Sequence, residues 1–356
     1  MTLANRGILQ LADGRSFEGY SFGFRRSVAG EVVFNTGMVG YPECLTDPSY
    51  KGQILVLTYP LIGNYGVPAP GPVGEVLASF ESACIQISGL VVSATTFEAD
   101  HWNSTRSLNE WLESEGVPAL FGVDTRALTK HLRDIGTVPG RISVDGEEVP
   151  LSDPNNSDLV SSVSVKEVVV HQRGPRRVVV VDCGCKNGII RNLLDRNVTV
   201  VRVPYDYDFF REKFDAILVS NGPGDPKRCT ATIANVRKAL DQSKPILGIC
   251  LGSQILALAA GADTYKLKFG HRSQNQPCIE VGTKRCYITS QNHGYAVEPE
   301  SLPIDWEAWF VNANDGTNEG LRHRTKPFRA VQFHPEASPG PVDTSFLFDQ
   351  FVDLIR

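Results

Sequence analysis

The chemistry of this chain centres on a cysteine held between glycines. Residues Pro245–Gly252 read PILGICLG, an apolar run that passes through Gly-x-Cys-x-Gly into a helical run. The spacing is that of a nucleophile elbow with Cys250 in the serine place. Glycines flank such a turn because side chains there would clash. A thiol at a helix N-terminus meets partial positive charge, which favours the thiolate, and the N–H of Leu251 is placed to hold a tetrahedral oxyanion. A lone cysteine at a strand end is more often a core residue, so the motif needs a base. His334 and Glu336, in VQFHPEASPG, supply the base and its orienting group, with Pro335 fixing the backbone between them. The competing reading of His334 is a surface histidine beside a turn.

Both motifs must be positioned by strands. From Arg177 onward β-branched runs alternate with helical patterns: RVVVVDCG, IIRNLLDRN, VTVVRVPY, DAILVSNGPGD, ATIANVRKALDQ, PILGIC and SQILALAAG. This alternation predicts a doubly wound, mostly parallel α/β sheet, whose ligands sit beyond the carboxyl ends of the strands. Cys250 follows one strand, and His334 follows Val331–Phe333, the end of another. Residues 1–150 predict a mixed α/β domain, with strands at Gly30–Asn35 and Gln53–Thr58. Helices are expected at Ser107–Glu115 and Thr125–Ile135, with Ser107 and Thr125 as N-caps. Residues 151–176, rich at first in Pro, Asn, Asp and Ser, read as a linker, leaving 177–356 as the second domain.

Composition excludes several functions. The 356 residues are 42% hydrophobic and 21% charged, with a net charge of −5, so two ordinary globular domains are expected. Neither nucleic acid nor an anionic membrane suits a chain without a basic face. The cluster Arg173, Arg176 and Arg177 is short enough for a solvated linker. The first residues lack the apolar core of a secretory signal, and no run reaches the ~20 apolar residues of a membrane span. Eight scattered cysteines then read as reduced thiols in the cytoplasm, and the lone C-x-C at Cys183–Cys185 is a poor metal site.

GICLG followed by HPE resembles the class I, or triad, glutamine amidotransferases. SNGPGDP (220–226), SQNHGYAV (290–297), NANDGTNEG (312–320) and AVQFHPEASPGP extend the resemblance to the small subunit of carbamoyl phosphate synthetase. In the first half, GEVVFNTGMVGYPECLTDPSY, TYPLIGNYG and FGVDTRALT do the same, and other amidotransferases of the class lack that domain. The resemblance covers essentially the whole chain. It implies a triad of Cys250, His334 and Glu336. It implies glutamine binding by Ser49, Gly222, Gly224, Leu251, Gln254, Asn292, Gly294 and Tyr295, with Ser49 reaching across from the first domain. One position departs: the family usually has His or Asn after GICLG, and here Ser253 follows, a residue able to cap the helix.

The implied reaction is hydrolysis of L-glutamine through a thioester, with ammonia passing to a large subunit that carries ATP and Mg. This chain has no phosphate-binding loop of its own, and no cofactor or metal is expected in it. In animals the same unit is fused to its partner. The alternatives are a different class I amidotransferase, a catalytically weak regulatory subunit that only binds the synthetase partner, and a cysteine peptidase. His293 reads as structural, while His271 and His131 show no partner pattern. Asn292–Gly294 and SNGPGDP could each be no more than a polar turn.

Overall fold

The computed structural model describes residues 5–71, 76 and 79–355. Part of the N-terminus searched for a secretory signal, residues 1–4, and the final Arg356 lie outside the described residues. The chain forms two compact units, Met1–Ser157 and Asp158–Arg356.

In the first unit, seven strands among the described residues close a barrel. They are β1 (Arg6–Leu11), β2 (Ser16–Gly23), β3 (Val28–Asn35), β4 (Gln53–Leu57), β5 (Gly89–Val92), β6 (Pro118–Phe121) and β7 (Val138–Val144). The order is β1-β2-β6-β5-β4-β3-β7, and β7 returns to pair with β1. β3 to β6 run parallel along the order β3-β4-β5-β6, while the remaining pairings are antiparallel. Closure leaves no open sheet edge. Helices α1 (Tyr41–Thr46), α2 (Leu108–Ser114) and α3 (Thr125–Ile135) accompany the barrel.

The ends of two helices test the expected caps. Ser107 does cap α2: its Oγ accepts from Glu110 N–H at 3.2 Å, and the Glu110 carboxylate accepts from Ser107 N–H at 2.8 Å. The cap of α3 is Asp124 rather than Thr125, because the Asp124 carboxylate accepts from Ala127 N–H at 2.9 Å while Thr125 is already helical and buried. His131 also gains a partner that spacing could not show. Its Nε2 lies 2.6 Å from Asp13 Oδ2, a residue 118 positions away.

The second unit is built on one sheet of ten strands among the described residues, in the order β14-β13-β15-β16-β17-β12-β11-β9-β10-β8. Five central strands are parallel neighbours: β9 (Arg176–Asp182), β10 (Val198–Pro204), β11 (Ala216–Val219), β12 (Ile246–Ile249) and β17 (Phe328–Val331). Val178, Val179, Val180 and Val181 are fully buried, as a strand covered on both faces requires. Burying each such side chain contributes roughly 1.5–3 kcal/mol. Helices α5 (Asn187–Asp195), α6 (Thr230–Ala239), α7 (Leu251–Ala260) and α8 (Phe346–Asp353) complete this half.

Two features go beyond the expected doubly wound core. An antiparallel wing extends it through β13 (Thr264–Glu280), β14 (Cys286–Val297), β15 (Trp306–Asn312) and β16 (Asn318–His323). The stretch read as a linker also contributes structure, α4 (Leu159–Val163) and β8 (Val169–His171). β8 adds an antiparallel edge strand beside β10, because its Val-Val-His run has backbone groups to pair and a strand edge to pair with.

Candidate active site

Cys250 stands where β12 tips into α7. Its backbone has φ 54° and ψ −108°, a strained conformation for a residue with a side chain. The turn survives because its surroundings over-determine it. Cys250 N–H bonds to Val331 O at 2.9 Å, and Cys250 O accepts from Ser253 N–H at 2.9 Å. Both flanking glycines are obligatory for steric reasons. A Cβ on Gly248 would stand 2.5 Å from Gly252 O, and one on Gly252 would strike the Val219 carbonyl, 2.6 Å from its carbon. Leu251 opens α7, so its N–H has no partner within the helix. The cysteine is 2% exposed.

The neighbouring strand β17 brings up His334, the expected base. Three residues past its end, His334 N–H bonds to Ser290 O at 2.9 Å, fastening this segment to β14. The His334 ring is buried, and its Nδ1 lies 2.6 Å from Glu336 Oε1. The Cys250 sulfur is near enough to act on the ring both through its charge and as a side-chain hydrogen-bond partner. Burial pulls the imidazole pKa down, but the Glu336 carboxylate and then the Cys250 sulfur outweigh it, and the pKa is raised to about 10. Glu336 moves the other way: burial raises it, while Lys186 and His334 together hold it at about 2.

Lys186 is the residue that sequence reasoning missed. It follows β9, only 4% of its surface is exposed, and its Nζ lies 3.1 Å from Glu336 Oε1. The same ammonium donates to Ala337 O at 2.8 Å and lies 3.4 Å from Ser338 O. Both residues have left-handed backbone, φ 55° and 59°, and this turns their carbonyls to the cation. Asp182 holds the loop that carries Lys186. Its Oδ1 accepts from Gly184 and Cys185 N–H at 2.8 and 2.6 Å, and its Oδ2 accepts from Arg202 Nε at 2.8 Å. A signal existed: a lysine in the loop that leaves a central parallel strand, where sites are expected.

Several of the residues expected to hold substrate gather around the elbow. Cys250 Sγ lies 3.7 Å from Asn292 O. Gln254, one turn into α7, donates from Nε2 to Tyr295 O at 2.8 Å and to Gln332 Oε1 at 3.0 Å, so part of its hydrogen-bonding capacity ties α7 to β14. Gly222 packs where a Cβ would meet the Cys183 carbonyl and, at 2.8 Å, Leu251 Cδ2. Gly224 has φ +84°, and a Cβ there would find only Leu159, 3.5 Å away. Gly294 faces Arg272. Ser49 belongs to the first unit, buried in the turn Pro48–Tyr50 with its N–H on Asp47 Oδ1 at 2.9 Å. Asn292, His293 and Gly294 lie within β14 rather than in a turn.

Two expectations are corrected here. Ser253 is the third residue of α7 and not its cap; the cap position is Cys250, and the buried Ser253 Oγ has no hydrogen-bond partner. His271 does have partners, Asp315 at 2.8 Å and Glu319 at 3.1 Å, both supplied by chain more than forty residues away. His293 is buried with Nδ1 on Tyr295 O at 2.8 Å, and burial first, then His271, pushes its pKa well down.

The arrangement matches known families. Residues 179–354 match the model for class-I glutamine amidotransferase, and residues 9–142 match that for the carbamoyl-phosphate synthase small chain, CPSase domain. The chain is 53% identical over 355 residues to multifunctional protein CAD of Squalus acanthias, covering 98% of this chain and 16% of that protein. It is 50% identical over 351 residues to the carbamoyl-phosphate synthase [ammonia], mitochondrial, of Homo sapiens, covering 97% of this chain and 23% of that one. It is 48% identical over 385 residues to multifunctional protein URA2 of Saccharomyces cerevisiae, covering 98% of this chain and 17% of that protein. The chain thus spans less than a quarter of the length of each of these curated relatives. With both units matched and the elbow facing its histidine, the chain belongs to the carbamoyl-phosphate synthase small-chain family, its second unit being a class-I glutamine amidotransferase.

Proposed function

We propose that this protein hydrolyses L-glutamine at Cys250 and supplies the ammonia to a carbamoyl phosphate synthetase partner. The observation that carries the reading is the strained Cys250 at the end of β12 beside a buried His334–Glu336 pair at the end of adjacent β17. With its pKa raised to about 10, His334 already carries the thiol proton as an imidazolium paired with the Cys250 thiolate, and Glu336 keeps it oriented. The sulfur then adds to the side-chain amide carbon. The oxyanion is held by the Leu251 N–H and by backbone at Gly222 or Gly224. His334 returns its proton to the leaving nitrogen, releasing ammonia and leaving a γ-glutamyl thioester. Water, deprotonated by the same imidazole, adds to the thioester and yields glutamate. Gln254, Asn292, Gly294, Tyr295 and Ser49 would hold the amino-acid end; Ser49 is assigned by resemblance alone.

The ATP and Mg chemistry belongs, in this reading, to the large subunit, with which the chain associates and to which ammonia passes without entering bulk water. A second reading, a weak or regulatory subunit that only binds the synthetase, has one observation in its favour. One relative, 50% identical, carries ammonia in its printed name. A glutaminase assay with and without purified large subunit separates the two. Turnover that Cys250→Ala abolishes, with glutamine binding retained, supports hydrolysis. Wild-type protein that fails to hydrolyse glutamine in both conditions supports the second reading. Cytoplasmic residence is part of the proposal, and the free state of all eight cysteines favours a reducing compartment. No described helix is long and apolar enough to cross a membrane.

A further inference from the structure

A cleft of about 890 Å³ opens in the second unit, lined by residues that immediately precede β11, β12 and β17. This is the amino edge of the parallel strands, opposite to the edge that carries Cys250 and His334. Its lining holds five cations, Lys244, Arg322, Arg324, Lys326 and Arg329, against the carboxylates of Asp215, Glu307 and Asp353. On a chain of net charge −5, that is a local reversal of sign.

The pairing is more one-sided than the lining implies. Glu307 alone serves both Arg322 and Arg324, at 2.7 and 2.8 Å. Asp215 is engaged by the backbone N–H of Arg177 at 2.8 Å. Lys326 donates to Leu240 O at 2.9 Å, and Lys244 donates to Phe214 O and lies 4.1 Å over the Phe214 ring. Arg329 bonds only to the neutral Gln350 amide at 3.0 Å and stacks 5.3 Å over Trp309. Among the described residues, none of Lys244, Lys326 and Arg329 has a carboxylate within ion-pair reach. Arg329 is half-buried besides, and burial followed by the nearby Arg322 lowers its pKa. A half-buried cation set beside others without a counter-charge is costly unless an anion joins it.

We propose that this cleft binds a compact polyphosphate anion, either inorganic pyrophosphate or the phosphate tail of a nucleotide. The volume falls within the roughly 300–1,000 Å³ of small-molecule sites. The guanidinium of Arg329 offers a planar fork for phosphate oxygens, and the two lysines supply point charges. The hydroxyls of Ser243 and Thr325 also line the cleft and add neutral donors. The site is independent of the glutaminase reading, since no residue in it belongs to the elbow or its base.

The test is calorimetric titration of the whole chain with pyrophosphate and with ATP, metal-free and at constant ionic strength. Binding in the sub-millimolar range is expected, with the double variant Lys326→Gln/Arg329→Gln weaker by about tenfold or more. Both proteins should hydrolyse glutamine at the same rate. ATP binding tighter than pyrophosphate identifies a nucleotide tail, and equal binding identifies the inorganic group; either upholds the site. Binding no tighter than about 10 mM, or unchanged in the variant, overturns it. Should the double variant fold poorly, Lys326→Gln alone, at an exposed side chain, takes its place and must still weaken binding several-fold.

Discussion

Replacing Lys186 by Met tests whether the buried lysine holds the carboxylate that orients the base. The lysine side chain is 5% exposed and Glu336 is fully buried, with 3.1 Å between their charged atoms. Methionine keeps most of the volume, so the perturbation is chiefly electrostatic. A carboxylate held at about 2 rather than its ordinary 4.5 carries about 3 kcal/mol of stabilisation. Stripping one partner from a buried ion pair costs about 3–5 kcal/mol. Because His334 still faces Glu336 at 2.6 Å, the lower figure applies, and a loss of about 3 kcal/mol is expected at pH 6.

The sign with pH follows from the depressed carboxyl. Its contribution is complete above pH 4.5 and disappears as pH falls towards 2, so the deficit of Lys186→Met must shrink on acidification. The raised imidazole behaves oppositely: its contribution is complete below about 6.5 and is lost as pH rises through about 10. Lys186 pushes His334 down, so its removal should move the alkaline limb of kcat/KM upward. Urea unfolding across pH 3–8 and a glutaminase pH profile measure both effects. A deficit under about 1 kcal/mol at pH 6, or one of equal size at pH 3, refutes the assignment.

Three further outcomes are expected. Gly252→Ala drives a methyl into the Val219 carbonyl, so it should lose about 1–3 kcal/mol in a thermal melt. Displacement of the elbow should then cut glutaminase kcat by about 100-fold. Ser253→Ala removes a buried hydroxyl that bonds to nothing, so stability should stay within about 0.5 kcal/mol and turnover should not fall; a loss near 1 kcal/mol would restore the capping role. Asp182→Asn turns an NH₂ group towards N–H donors or Arg202, and should cost about 3–5 kcal/mol by urea unfolding and slow glutaminase with it, since the loop it holds carries Lys186.

The amino-acid sequence by itself determined the elements whose cause is local. The four consecutive valines of β9 read as a strand buried on both faces, Gly-x-Cys-x-Gly read as a tight turn into a helix, and Ser107 read as the cap of α2, as it is. Strand followed by helix also pointed to the carboxyl ends of the strands, and Cys250 and His334 stand just past two of them. Only the tertiary structure decided the pairings between distant parts of the chain. Lys186 meets Glu336 across 150 residues, His131 meets Asp13 across 118, and His271 meets Asp315 and Glu319. The same holds for sheet edges. Closure of the first unit into a barrel and the antiparallel wing containing Asn292 depend on which backbone finds which partner. A side chain's periodicity reports the face it shows, but a contact depends on what the rest of the chain brings to that face, and charge and hydrogen bonding are settled only there.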